Sequence, residues 1–190
     1  MAFWRFMTTP VHALIVVDMQ TAFVSGDHAV PGADRLLKNA EDLILRARSA
    51  GAVVVHLQND GGPGADDEPG TPGWELFLTP EPGDHVIRKP EDDGFHETDL
   101  GDVLDAAGVE ALAVCGVMSE MCVSATAREA LERDYRVVLP HDAHGTYDIP
   151  AAPGISDGVP AAMVSRVAEW ALGDEVEVVA RAADVTFVRP

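Results

Sequence analysis

Residues 12–17 (HALIVV) form an unbroken apolar run that closes on Asp18, the pattern of a β-strand buried on both faces. Residues 52–57 (AVVVHL) and 111–117 (ALAVCGV) repeat it. Between the first two runs, Leu36, Leu37, Ala40, Leu43, Ile44 and Ala47 recur at three- and four-residue steps across 33–50. That spacing predicts an amphipathic helix, and Gly51 supplies its stop. Residues 85–88 (HVIR) read as a short strand that delivers Lys89 and is stopped by Pro90. Helices are predicted over 99–107, over 119–133 with Ser119 as N-cap, and over 160–172. Short strands are predicted over 136–139, 176–179 and 185–188. Residues 58–72, rich in Gly, Pro and Asp, form a long loop, and a loop of that length inside a compact domain is usually functional.

Strands alternating with helices predict an α/β domain whose parallel sheet is covered by helices on both faces. The 190 residues fit one such domain, 1–190. In sheets of this kind ligands bind beyond the carboxyl ends of the strands. Asp18, Lys89 and the segment leading to Cys122 all stand at such ends. One crevice is therefore expected to gather a carboxylate, an ammonium and a sulfur.

Each of the three has a chemical reading and an ordinary one. Cys122 lies in GVMSEMCV, between a buried strand and the start of a helix. A helix N-terminus lowers a thiol pKa and offers free N–H groups to an oxyanion; the ordinary reading is a small buried cysteine. Asp18 can take the thiol proton and later activate water, or cap the segment that follows it. Lys89 can stabilise both negative charges, or form a surface ion pair. Together they are the minimum set for covalent acyl transfer. The second cysteine, Cys115, is seven residues from Cys122, which matches no CxxC metal pair; both read as free thiols in a reducing compartment.

Charge narrows the partners. With 32 acidic against 13 basic residues the formal net charge is −19, which argues against nucleic acid and anionic membranes. The same surface attracts a cationic substrate, or simply keeps the protein in solution. No apolar run reaches the roughly 18–20 residues that span a bilayer. Residues 1–10 carry one Arg and no apolar stretch of secretory length, so a cytoplasmic location is expected, with Met1 and Met7 both open as starts.

The segments LIVVDMQTAF, Lys89 followed by GFHETDL, and CGVMSEMCVSATAREA resemble the isochorismatase-like cysteine hydrolase superfamily, in order across nearly the whole chain. The resemblance implies a three-layer α/β/α sandwich with a six-stranded parallel sheet and an Asp18–Lys89–Cys122 triad. It also implies a cis peptide between Val117 and Met118, turning the Met118 N–H inward to form an oxyanion hole with the Cys122 N–H. It implies a homo-oligomer as well, and Trp170 and Leu172 either serve an interface or close the core. Metal-binding branches of the superfamily carry Asp-x-His after the second strand. Here HLQNDGGPG places two glycines after Asp60, so no metal and no cofactor are expected, and His56 reads as a core histidine.

The segments SGDHAVPGADRLL, EPGTPGWEL and HDAHGTYDIPA are similar to a branch that opens the lactam of a cationic antibiotic. That resemblance implies hydrolysis of an amide or lactam C–N bond in a small, cationic substrate. Phe23 and Trp74 are then candidate apolar walls, and His144 and Tyr147 candidate polar contacts, against plain roles in core and loop. The rival readings are a nicotinamidase-like or carbamoyl amidohydrolase of another small amide, and a non-catalytic scaffold that keeps the fold.

Overall fold

In the computed structural model, which describes residues 9–190, the apolar runs become the inner strands of one sheet. The readings on start site and leader fall mostly on 1–8, outside the described residues. The strands are β1 (Ala13–Val17), β2 (Val53–Asn59), β3 (His85–Lys89), β4 (Ala111–Val117), β5 (Arg136–Pro140), β6 (His144–Gly145) and β7 (Glu177–Val179). Six of them lie side by side in the order β3-β2-β1-β4-β5-β7, and every pairing is parallel. The two-residue β6 pairs with the end of β4 off this path, a seventh strand added to the expected six. Residues 185–188, expected as a strand, make only a single bridge, Phe187 to Val11. Val11 precedes β1 and offers that one position of pairing, and a 3-10 turn at Ala182–Asp184 leads into it.

Alternation along the buried strands divides two cores. Leu14 and Val16 of β1 point to one face, with Leu36, Ala40, Leu43, Ile44 and Ala47. Those last five belong to α2 (Ala33–Ala50), which follows a one-turn α1 (Thr21–Val24). Ala13, Ile15 and Val17 point to the other face, against Leu100 and Leu104 of α3 (Leu100–Ala107) and Ala127 and Ala130 of α4 (Ser124–Glu132). This makes three layers, helix on sheet on helix. Complete burial of one such leucine contributes roughly 1.5–3 kcal/mol. Gly51 ends α2 in the left-handed region at φ 72, its N–H bonded to the carbonyls of Ala47 and Arg48.

The predicted helix over 119–133 divides in two. A π-helical turn, Ser119–Val123, precedes α4, and Met121 inside it has non-helical angles. Ser119 does not cap a helix; its hydroxyl is drawn instead to His144 and Ser165. The last helix, α5 (Ala161–Ala171), packs against this turn and β6. Of the pair near the C-terminus, Leu172 is buried, whereas Trp170 is 76% exposed. No helix of the described residues is long and apolar enough to cross a membrane.

Candidate active site

Strands β1 and β2 run in register with β3, so Val17 pairs with Leu57 and Asn59 with Lys89 at the carboxyl edge. On the other side Val17 pairs with Gly116, and a Cβ on Gly116 would lie 2.0 Å from the Val17 carbonyl oxygen. Only glycine lets β4 approach β1 this closely. One residue beyond Val17, Asp18 takes a left-handed backbone at φ 48, a region that aspartate visits more readily than most residues. The chain turns off the sheet there while the carboxylate stays buried.

These ends converge on the Lys89 ammonium. Its Nζ lies 2.8 Å from Asp18 Oδ2 and 3.2 Å from Cys122 Sγ. It also donates to Asn59 Oδ1 at 3.2 Å and to the Glu91 carbonyl at 3.1 Å. Asp18, Lys89 and Cys122 are 1%, 0% and 6% exposed, so the three interact with little solvent between them. The second oxygen of Asp18, Oδ1, is buried with no hydrogen-bond partner among the described residues. It is the free acceptor of the cluster. The Val117–Met118 peptide, at the mouth of the turn that carries Cys122, is cis.

Burial governs the electrostatics. It pushes the Asp18 carboxyl up to about 6, just below neutrality, despite the neighbouring Lys89. Burial opposes the charge on Lys89 too, but Asp18 and Cys122 outweigh it and hold the ammonium above its ordinary range. The Cys122 thiol is pushed up, first by burial and then by the Asp18 charge, with Lys89 opposing both. The helix-terminus effect expected to free a thiolate is therefore overridden. Cys122 is thus held as a thiol near the Asp18 carboxylate. Cys115, fully buried in β4, is pushed up to about 12 by burial alone.

Several site residues have no part in the sequence reading. Asn59 connects Lys89 to Asp67, donating to Asp67 Oδ2 at 2.6 Å. Gln20, wholly buried, exchanges hydrogen bonds with the Asn59 backbone and donates to the Trp74 carbonyl. Asp92 Oδ1 lies 3.5 Å from Cys122 Sγ. Gln20 falls inside LIVVDMQTAF, and the register that sets Asn59 beside Lys89 is the signal that points to the asparagine. Asp92 sits in an irregular loop with no such signal.

The four expected substrate contacts divide. Phe23 and Tyr147 line a cleft of about 550 Å³ together with Asp27, Asp66 and Asp148. These residues lie on segments that leave the carboxyl ends of β1, β2 and β6, the same rim as Asp18. Trp74 does not line this cleft: its Nε1 donates to Asp60, and Arg88 covers its ring at 5.0 Å. His144 lies away from this cleft's lining. It is buried, and both ring nitrogens are spent, one on Ser119 at 2.8 Å and one on Glu169 at 3.0 Å.

Asp60 itself holds Arg88 through both oxygens. His56 is wholly buried mid-strand and lies 3.4 Å from Asp84, outside hydrogen-bond geometry; burial depresses its pKa. Among the described residues, His141, His144 and Glu169 bring ligand-capable atoms within 4.8 Å of one another. Both imidazoles, however, sit on the same carboxylate oxygen at 2.5 and 3.0 Å. Ligands of a tetrahedral zinc stand about 3.3 Å apart, given bonds of about 2.0 Å. The three groups satisfy one another as hydrogen-bond partners.

Comparison with known proteins identifies the family and the fold. The chain is 72% identical over 182 residues to a streptothricin hydrolase of Streptomyces noursei, covering 95% of this chain and 66% of the relative. It thus spans about two thirds of that relative's length. Among solved structures it is similar to an isochorismatase from Pseudomonas putida, with a TM-score of 0.84 and 31% identity over 94% of this chain and 93% of the other. A cysteine hydrolase from Pseudomonas syringae pv. phaseolicola gives a TM-score of 0.81 and 29% identity, covering 95% and 93%. Residues 12–153 match the model of the isochorismatase domain, and the chain belongs to the isochorismatase family.

Proposed function

We propose that this chain, one domain throughout, is a cysteine hydrolase that opens the lactam of a streptothricin-type cationic antibiotic through a thioester on Cys122. The observation that carries the reading is the buried contact of Lys89 Nζ with both Asp18 and Cys122. Asp18 takes the thiol proton, and the sulfur attacks the carbonyl carbon. The N–H groups of Met118 and Cys122 receive the oxyanion, and the Lys89 ammonium balances the negative charge that has passed from Asp18 to the adduct. The amine departs with the proton from Asp18. Water, deprotonated by the same carboxylate, then hydrolyses the thioester. No step calls for a metal or cofactor.

The substrate class is supported by the strong likeness to streptothricin hydrolase and by an acidic cleft lined from segments that leave the same strand ends. Asp27, Asp66 and Asp148 line this space together with Phe23 and Tyr147, an acidic lining that suits a flexible chain bearing amines. The chain-wide charge of −19 works in the same direction. Two reduced thiols suit a cytoplasmic location. The assembly is a homo-oligomer joined through α5, where Met163, Val167 and Trp170 expose an apolar stripe at 58%, 61% and 76%; light scattering at two protein concentrations tests this.

The test of function is hydrolysis itself. Incubated with a streptothricin lactam, the protein is expected to yield a product heavier by one water, and Cys122→Ala none. Undiminished product from the alanine variant ends the thioester reading. A panel of simple primary amides run beside it, with ammonia detection, distinguishes this substrate class from a nicotinamide or carbamoyl compound.

A further inference from the structure

The turn Ser119–Val123 carries Cys122 and starts one residue after Met118, so whatever fixes Ser119 fixes the frame of the nucleophile. His144 reaches that frame from two sides. Its own strand, β6, pairs His144 with Gly116 and Gly145 with Val117, the two residues before Met118. Its ring meets Ser119 Oγ, the residue after Met118, at 2.8 Å. Behind the ring, Nε2 lies 3.0 Å from Glu169 Oε1 on α5.

The protons of this chain can be assigned. An ionised carboxylate only accepts, so Nε2 carries the imidazole hydrogen and Nδ1 is left to accept from the Ser119 hydroxyl. Ser119 Oγ then accepts from Ser165 at 2.9 Å. Glu169 is oriented in turn by His141 at 2.5 Å and Arg166 at 3.3 Å. The turn has two further ties, Ser124 Oγ on the Ser119 carbonyl at 2.6 Å and Thr146 Oγ1 on Glu120 at 2.9 Å. Ser119, His144, Ser165 and Glu169 are all more than nine-tenths buried. Each link lost would leave a buried polar group without a partner, so the chain admits one arrangement.

We propose that Ser119, His144 and Glu169 form a positioning brace that holds the Met118 and Cys122 N–H groups toward the oxyanion. None of the three touches the reacting atoms, and the inference rests on the reading that Cys122 is acylated. Misplacement of a reacting geometry by about 1 Å costs on the order of 100-fold in rate. The brace therefore acts on acylation, which forms an oxyanion, and not on alkylation, which forms none.

The experiment compares the two reactions at Cys122. Acylation is read as nitrophenolate released from p-nitrophenyl acetate, and alkylation as the rate of iodoacetamide incorporation. Ser119→Ala and His144→Gln are expected to slow acylation about 10- to 100-fold and leave alkylation within about two-fold. His144→Asn, which keeps an acceptor for Ser119 and gives up Glu169, is expected to fall between these and wild type. Acylation within about two-fold of wild type in both Ser119→Ala and His144→Gln overturns the brace. So does an equal fall in both reactions, which marks a loosened fold. Wild-type protein acylated no faster than Cys122→Ala removes the thioester reading and the brace with it, and that failure shows in the wild type before any brace variant is made.

Discussion

Lys89 Nζ stands 3.2 Å from Cys122 Sγ at a depth where the lysine has no solvent exposure. An ammonium there is tolerable only because Asp18 sits 2.8 Å away on its other side. The pair is thus both a structural and a chemical unit. Replacing Lys89 by Met keeps the volume but leaves the Asp18 carboxylate buried without a cation. Loss of about 3–5 kcal/mol of stability is expected, together with a fall of at least about 100-fold in kcat/KM. Urea unfolding and steady-state kinetics on one preparation check both. A variant that unfolds like wild type and turns over normally would show that the ammonium is a bystander.

The Asp18 carboxyl, raised by burial to about 6, is expected to set the acid limb of activity. Below pH 6 the group holds a proton and cannot accept the one from Cys122, so kcat/KM is expected to fall about ten-fold per pH unit. Above it the rate levels off. The same shift has a consequence for stability with the opposite sense. Between pH 3.8 and 6 the folded chain keeps a proton that the unfolded chain has lost, so this group's contribution to stability declines as pH rises through that window. A pH–rate profile from pH 3.5 to 8.5 measures the limb, and an acid limb near pH 4 would show a solvated carboxyl in place of the buried one.

What the sequence made legible was the part set by periodicity and by strand ends. The runs at β1, β2 and β4 declared themselves through burial on both faces, and α2 through its spacing and Gly51. Asp18 and Lys89 could be placed because a polar residue closing an apolar strand has one edge to go to. Phe23 and Tyr147 line the cleft at the strand-end rim, and His144 does not. Its neighbour Tyr147 faces the cleft, whereas His144 pairs with β4 and points inward, a distinction that depends on the two-residue strand. The thiol pKa was misjudged for a similar reason: local helix geometry is written in GVMSEMCV, but the depth at which Cys122 ends is a property of packing. Ser119 looked like a cap because the π turn, with its irregular Met121, has no period of its own.

Gly116 is predicted to tolerate no side chain. Its φ of 123 lies where L-residues are strained, and an added Cβ would meet the Val17 carbonyl oxygen at 2.0 Å. That oxygen belongs to the backbone of the central strand and cannot swing aside. Gly116→Ala is expected to cost roughly 3–5 kcal/mol or to leave the protein insoluble. The effect should be larger than for alanine at Gly62, where nothing lies within 4 Å. Thermal unfolding of the two variants side by side gives the comparison, and equal midpoints would mean that β1 and β4 are not held this closely.

Cation recognition, last, is predicted to reside in the cleft and not in the bulk charge of the chain. Asp27 and Asp66 are exposed carboxylates beside Phe23 and Tyr147. Exposed ion pairs contribute about 0.2–1 kcal/mol each, so Asp27→Asn and Asp66→Asn are each expected to raise KM for a cationic lactam about two- to five-fold and leave kcat alone. The double variant should raise it further and lose most of its salt dependence, because the screened interaction has been removed. A neutral amide of similar size should show no change in KM with any of the three. If substitution of two acidic residues outside the cleft lining, Glu110 just before β4 and Glu132 at the end of α4, raised KM equally, the attraction would belong to the net charge of −19 and the cleft would have no selective role.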